Sequence, residues 1–304
     1  MSKSPRNPVH GWLVLDKPLG MNSTKAVAIV KRLFWAERCG HAGTLDPLAS
    51  GMLPIALGEA TKTVQYAQDG TKKYRFDVKW GEERSTDDLE GEATQISPSR
   101  PTQIDIESIL TNFTGEISQT PPAFSAIKVA GERAYDLARA GVVVELKSRP
   151  VLIESLTLTA ATADTATFET TCGKGTYVRA LARDMGRRLG CFGHVTALRR
   201  TAVGPFRESD MIPLDKLEAL SHKAPGGDAT TGLLRPLETV LDGIPALAVK
   251  DAEAQRLRQG QPVLLRGASA PIASDAVLVT WGSIPLGICS IEQGSLRPRR
   301  LFNL

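Results

Sequence analysis

Gly40-His41-Ala42-Gly43-Thr44-Leu45-Asp46-Pro47-Leu48-Ala49-Ser50-Gly51 is the stretch from which the rest of this chain is best read. Pro47 fixes its own φ and biases Asp46 toward an extended backbone. The three glycines let the main chain approach a ligand closely. A single carboxylate presented on such a loop, beside apolar Leu45, Leu48 and Met52, is a candidate nucleophile or base. Carboxylates of this kind form covalent intermediates with a sugar's anomeric carbon. On Asp46 alone, an Asp-Pro pair that merely begins a turn is the commoner reading.

Working outward, Gly11–Asp16 (GWLVLD) reads as a short buried strand closed by the turn Lys17-Pro18-Leu19-Gly20. Asn22 or Ser23 caps a helix whose Val27, Val30, Leu33 and Phe34 recur at helical spacing. Lys73–Trp80 alternates strictly, with Tyr74, Phe76, Val78 and Trp80 on one face, as in a half-buried strand. A helix is expected near Ile104–Phe113 and another from about Arg133, with a return over Leu146–Pro150. Strands are expected at Val151–Ala160 and Thr165–Thr171, then an amphipathic helix over Thr176–Leu189. Lys223–Gly232 reads as a linker. Beyond Ile244, strand-like runs at Val263–Leu265, Val277–Trp281 and Leu286–Ile291 suggest a small β-rich module. Strands and helices interleave without a regular βαβ period, so the fold class is α+β rather than a doubly wound sheet.

Composition narrows the setting. Four scattered cysteines (Cys39, Cys172, Cys191, Cys289) form no C-x-x-C pair, so neither a zinc knuckle nor a disulfide framework is indicated. No apolar run is long enough to span a bilayer, and no signal core follows the first residues. The expectation is a cytoplasmic protein with no membrane partner and no metal site. Net charge is only +4, but from Cys172 to Arg207 eight basic residues stand against one acid, Asp184. Glu82–Glu92 is acidic instead. Such a basic block suggests a docked polyanion; a solvated helix face is the plainer alternative.

The Gly40–Gly51 segment resembles the catalytic loop of TruB-type pseudouridine synthases, G-H-x-G-x-L-D-P-x-A-x-G, with every fixed position present. The likeness continues through Leu53-Pro54 and Leu57-Gly58-Glu59-Ala60-Thr61-Lys62, and upstream through Lys17-Pro18-Leu19-Gly20 and Ser23. Lys73-Tyr74 resembles the family's tyrosine strand. Pro121–Lys128 (PPAFSAIK) with Gly131 and Arg133-Ala134-Tyr135 resembles its RNA-gripping insertion. Cys172–Arg179 and His194–Arg200 resemble two further active-site elements. Two positions depart: Phe124 stands where the family usually has Tyr, and Ser85 where an acid is common.

The resemblance implies a catalytic domain over residues 1–243, built on a mixed, largely antiparallel sheet with flanking helices. Its RNA-gripping insertion covers about 102–150, and a small PUA-like RNA-binding domain covers 244–304. It implies an isomerase that converts the T-loop uridine of tRNA to pseudouridine after flipping it out of the stack. Asp46 would attack the ribose anomeric carbon, with Arg179 as the cation that keeps it ionised. Tyr74 would stack on the uracil and act as a general base. Tyr177, Leu198 and Phe124 would line the pocket, and His41 would fill the space the target nucleotide leaves. Lys17 and Lys62 read as phosphate contacts or loop supports. An isomerisation has no net redox change, so no cofactor is expected; nor is an obligate protein partner, and the chain is expected to be a monomer. Two competing readings are a guide-RNA-dependent ribosomal pseudouridine synthase and a tRNA-folding chaperone with catalysis secondary. PPAFSAIK argues against the first. The joint presence of Asp46, Tyr74, Tyr177 and Arg179 argues against the second. A glycosidase would need a second placed acid, which is not evident.

Overall fold

Apolar residues at successive positions of a strand need cover on both faces, and residues 12–15 (Trp-Leu-Val-Leu) are such a run. The computed structural model, which describes residues 7–304 apart from 126, 130–131, 141–145, 224–230 and 268–270, supplies that cover. Residues 126, 130–131 and 141–145 of the expected insertion, and most of the expected linker, therefore lie outside the described residues.

The chain begins with β1 (Gly11–Lys17), α1 (Ser23–Leu33), β2 (Cys39–His41), β3 (Ala49–Leu57), α2 (Val64–Asp69) and β4 (Lys72–Trp80). A hairpin of β5 (Glu82–Arg84) and β6 (Ala93–Ile96), α3 (Gln103–Ile109) and β7 (Gly115–Gln119) follow. Next come β8 (Lys128–Val129), β9 (Glu132–Arg133), α4 (Ala134–Arg139), β10 (Arg149–Ala161), β11 (Thr165–Cys172) and α5 (Val178–Arg188). Then β12 (Gly193–Val203), β13 (Ile212–Pro213), α6 (Leu214–Lys223), β14 (Ala246–Ala248) and α7 (Asp251–Arg258) lead to a final run of strands. These are β15 (Val263–Leu264), β16 (Ser274–Trp281), β17 (Ile284–Glu292) and β18 (Ser295–Leu301).

Nine strands form one mixed sheet in the order β13-β1-β3-β12-β4-β11-β10-β7, with β2 added beside β3. Only β1–β13 and β3–β12 run parallel; the rest is antiparallel, as an α+β fold requires. In β1, Leu13 and Leu15 pack under α1 and α6 with Val30, Phe34 and Leu217. Trp12 and Val14 point the other way, into a cluster with Phe206 and Leu241. Phe76, Val78 and Trp80 of β4 share a face, as the alternation predicts, and meet Leu181 and Met185 of α5.

The second sheet has five strands, β14-β16-β17-β18-β15. It does not hang free. Ile288 and Phe302 belong to the same buried cluster as Trp12 and Met52. Lys62 Nζ donates to the Leu301 carbonyl at 2.6 Å, and the Asn303 amide donates to Glu59 at 2.8 Å. Among the described residues no helix is long and apolar enough to cross a membrane.

Candidate active site

The Gly40–Gly51 loop leaves the sheet at β2 and returns at β3, and its course is set by side chains from three directions. Asn22 caps α1, accepting from the Lys25 amide at 2.7 Å. That leaves Ser23 for another task. Its hydroxyl accepts from the Leu45 amide and donates to the Leu45 carbonyl, both at 2.9 Å. Leaving both buried backbone groups unpaired would cost about 1–3 kcal/mol each. The Gly20 amide holds the Pro47 carbonyl at 2.8 Å. From below, Arg200 of β12 donates to the Met52 carbonyl at 2.8 Å and to the Gly43 carbonyl at 3.0 Å. Gly51, at φ +94°, sits where β3 meets β12; a β-carbon there would lie 2.4 Å from the Arg200 carbonyl oxygen, so no larger residue fits.

Asp46 is thereby presented to a cleft of about 1450 Å³, larger than the 300–1,000 Å³ typical of small-molecule sites and suited to a segment of polymer. Its carboxylate meets Arg179 Nε at 2.9 Å. Arg179, at the start of α5, is 5% exposed and fully engaged. It donates to the Thr86 carbonyl at 2.7 Å and the Phe124 carbonyl at 2.9 Å, and lies 3.5 Å from Asp88. The pairing expected from sequence is therefore present. Arg179 also joins the acidic turn and the insertion to the carboxylate. The Phe124 departure does not disturb this link, because the contact is through its carbonyl.

Tyr74 of β4 also lines the cleft. Burial pushes its phenol above the ordinary value, with the Arg200 guanidinium pulling the other way. His41 also lines the cleft, and burial together with Arg200 holds its imidazole below the usual range, hence neutral at pH 7. Leu198 pairs with Phe76 on one side and Ala49 on the other, between the two halves of the core. The Tyr177 backbone is clamped by Gln119, which accepts from its amide at 2.9 Å and donates to its carbonyl at 3.1 Å. The Arg149 guanidinium lies over the Tyr177 ring, 5.5 Å from its centre. Phe124, Leu198 and Tyr177 all line the cleft with Asp46, Tyr74, His41 and Arg179.

Lys17 and Lys62 are not brought to the cleft. Lys17 is fully buried and donates to the Pro18 carbonyl at 3.0 Å and the Met21 carbonyl at 2.6 Å. Burial lowers its pKa to about 8, against the nearby Asp46 charge that raises it. Lys62 pairs with Glu59 at 2.6 Å and reaches the C-terminal sheet. Of the two roles open to these lysines, both make the contacts of loop supports.

The basic block divides between buried and exposed cations. Arg183 binds Asp87 and Asp184 at 2.9 Å each and the Thr120 carbonyl at 2.7 Å. Arg187 grips Glu83 through two bonds of 2.7 Å. Arg199 grips Asp16 through two of 3.0 Å, and Arg200 is 2% exposed. The acidic stretch Glu82–Glu92 is the partner of the basic helix. Arg179, Arg183 and Arg200 are buried, and Arg187 and Arg199 are ion-paired but partly exposed; Lys174, Arg188 and Arg207 stay exposed. Asp87 adopts φ +61° to make this turn. Burial outweighs its arginine neighbours and raises its carboxyl pKa to about 6.

Three family profiles match successive parts of the chain: "TruB family pseudouridylate synthase (N terminal domain)" over residues 31–178, "tRNA pseudouridylate synthase B C-terminal domain" over 179–242, and "Pseudouridine synthase II TruB, C-terminal" over 245–302. The chain is 60% identical over 301 residues to tRNA pseudouridine synthase B of Rhodopseudomonas palustris, covering 98% of this chain and 82% of that protein. It belongs to the TruB family of pseudouridine synthases. Other TruB relatives include the tRNA pseudouridine synthases B of Bradyrhizobium diazoefficiens (61% over 301 residues; 98% and 87% covered) and Brucella melitensis (52% over 316 residues; 99% and 98% covered). The TruB fold is also seen in a chain of a Cbf5-Nop10-Gar1 complex, with TM-score 0.73 and 23% identity over 96% of this chain and 85% of that one.

Two TruB site residues escaped sequence reasoning. Ser23 was a candidate cap, and Arg200 one cation of eight. Their work on the loop is tertiary; the only signal was that both fall inside the family's motifs.

Proposed function

We propose that this chain isomerises uridine to pseudouridine at position 55 of tRNA, in the T-loop, with Asp46 as nucleophile. The observation that carries the assignment is the 2.9 Å pair between Asp46 and the buried, fully engaged Arg179 in a cleft shared with Tyr74 and Leu198. A target uridine must leave its stack, at a cost of a few kcal/mol, before a carboxylate can reach its sugar. Asp46 then attacks the anomeric carbon, and the glycosidic bond breaks with its electron pair leaving on the base. The base turns, bonds through a ring carbon as the carboxylate departs, and loses the proton from that carbon while its nitrogen gains one. Atoms and electrons balance without a cofactor. Tyr74, whose phenol burial pushes above its ordinary value, offers a ring face to the uracil. A neutral His41 can enter the RNA stack without burying a charge.

The name shared by the relatives at 52–61% identity supports a free tRNA as substrate over a guide-dependent ribosomal one. We read the enzyme as a cytoplasmic monomer without an obligate protein partner, with residues 1–243 catalytic and 244–304 an RNA-binding accessory. Asp46→Asn tests the assignment. It keeps the shape of the loop but removes the nucleophile, so single-turnover product on a T-arm RNA should fall by about 10,000-fold or more while RNA binding holds. Substantial pseudouridine from the purified variant would refute it.

A further inference from the structure

We propose that Arg200 is a positioning residue of the reaction, its guanidinium fixing the loop that presents Asp46 against the strand that presents Tyr74. Arg200 sits at a junction. Its backbone is in register with Tyr74 of β4 on one side and Gly51 of β3 on the other. Its side chain turns under the loop to the carbonyls of Gly43 and Met52, with the Thr44 carbonyl at 3.5 Å, so it grips the chain both before and after Asp46. The same guanidinium acts electrostatically on Tyr74 and His41 and lines the cleft.

Its neighbour gives the contrast. Arg199 is partly exposed and paired with Asp16 and Glu208, an ordinary surface arrangement. Arg200 is 2% exposed, and among the described residues no carboxylate lies within ion-pair distance of it. Burying a guanidinium without a carboxylate partner is costly, and a packed apolar residue would support a sheet with less penalty. What an apolar residue cannot do is hold several loop carbonyls at once. A planar fork of donors can, and a lysine's single ammonium reproduces only part of that grip. Reacting groups lose about 100-fold in rate for a misplacement of about 1 Å.

The inference rests on the proposed reaction, so wild-type turnover of a T-arm RNA is measured first; its absence would count against that function, not against Arg200. Arg200→Lys and Arg200→Gln are then compared in single-turnover rate at saturating enzyme, RNA dissociation constant and melting temperature. The expected result is a fall in rate of about 100-fold, less for Lys than for Gln, with the dissociation constant within about threefold. An unchanged rate would overturn the proposal. So would rate and affinity falling together in step with lost stability, or failure of both variants to fold. Each of those outcomes makes Arg200 a core residue only.

Discussion

Helix α5 carries four arginines and strand β18 three, and they spend them differently. On α5, Arg179, Arg183 and Arg187 fall on one stripe and are each held by the acidic turn opposite. On β18, Arg297 and Arg299 lie about half exposed against the one carboxylate of Glu292, and Arg300 is exposed. The difference shows that a run of cations says little about polyanion binding until the carboxylates facing it have been located. On α5 the cations tie the helix to the β5–β6 hairpin and its acidic turn; on β18 they stay at the surface around a single carboxylate.

The comparison can be broken most directly through stability. Arg183→Ala strips a buried cation from two carboxylates and a carbonyl, so the unfolding free energy should fall by about 3–5 kcal/mol in chemical denaturation. Arg299→Ala, from an exposed pair, should cost under about 1 kcal/mol. Equal losses would erase the distinction. A smaller effect concerns pH. Asp87 has its pKa raised from 3.8 to about 6, so the native state holds the extra proton between those values. Stability from this group is therefore greatest below about pH 4 and is lost as pH rises toward 6. Asp87→Asn, which tolerates the positive φ, should flatten that part of the stability–pH curve, read by melting at a series of pH values. The smallest effect is on RNA binding. Arg188 is exposed whereas Arg187 is committed to Glu83. Arg188→Ala should reduce the slope of log K against log[salt] by roughly 0.7–0.9, and Arg187→Ala should leave it nearly unchanged. The reverse order would return Arg187 to the RNA face.

Periodicity carried the reading where one face is buried. Lys73–Trp80 alternates and is β4; Thr176–Leu189 is amphipathic and is α5, shortened at its start because Tyr177 is held extended by Gln119. The motifs located Asp46, Arg179 and the cleft-lining Tyr177, Leu198 and Phe124. Strand β12 was not foreseen. His194–Val203 has no clean alternation, because two bulges shift its register and adjacent arginines point to opposite sides of the sheet. Strand β18 hid behind three arginines and a proline. Ion pairs were illegible for a simpler reason: Glu83 and Arg187 are neighbours only after folding, and sequence displays charges without their partners.

The parallel pairing of β3 with β12 has a bearing on how a ribosome must deliver this protein. The edge of residues 49–51, which lead out of the catalytic loop, that lies away from β1 is paired by residues 198–200. At about 5–20 residues per second the nascent chain waits roughly ten seconds or more between making one and making the other. Throughout that interval the loop has Ser23 but not Arg200, and one edge of β3 is bare. An open edge beside an apolar run is a template for pairing with another chain. The same closure that sets the carboxylate in place therefore makes the unfinished protein a client for whatever shields nascent strands, and any truncation before residue 198 should yield aggregate rather than a half-active enzyme.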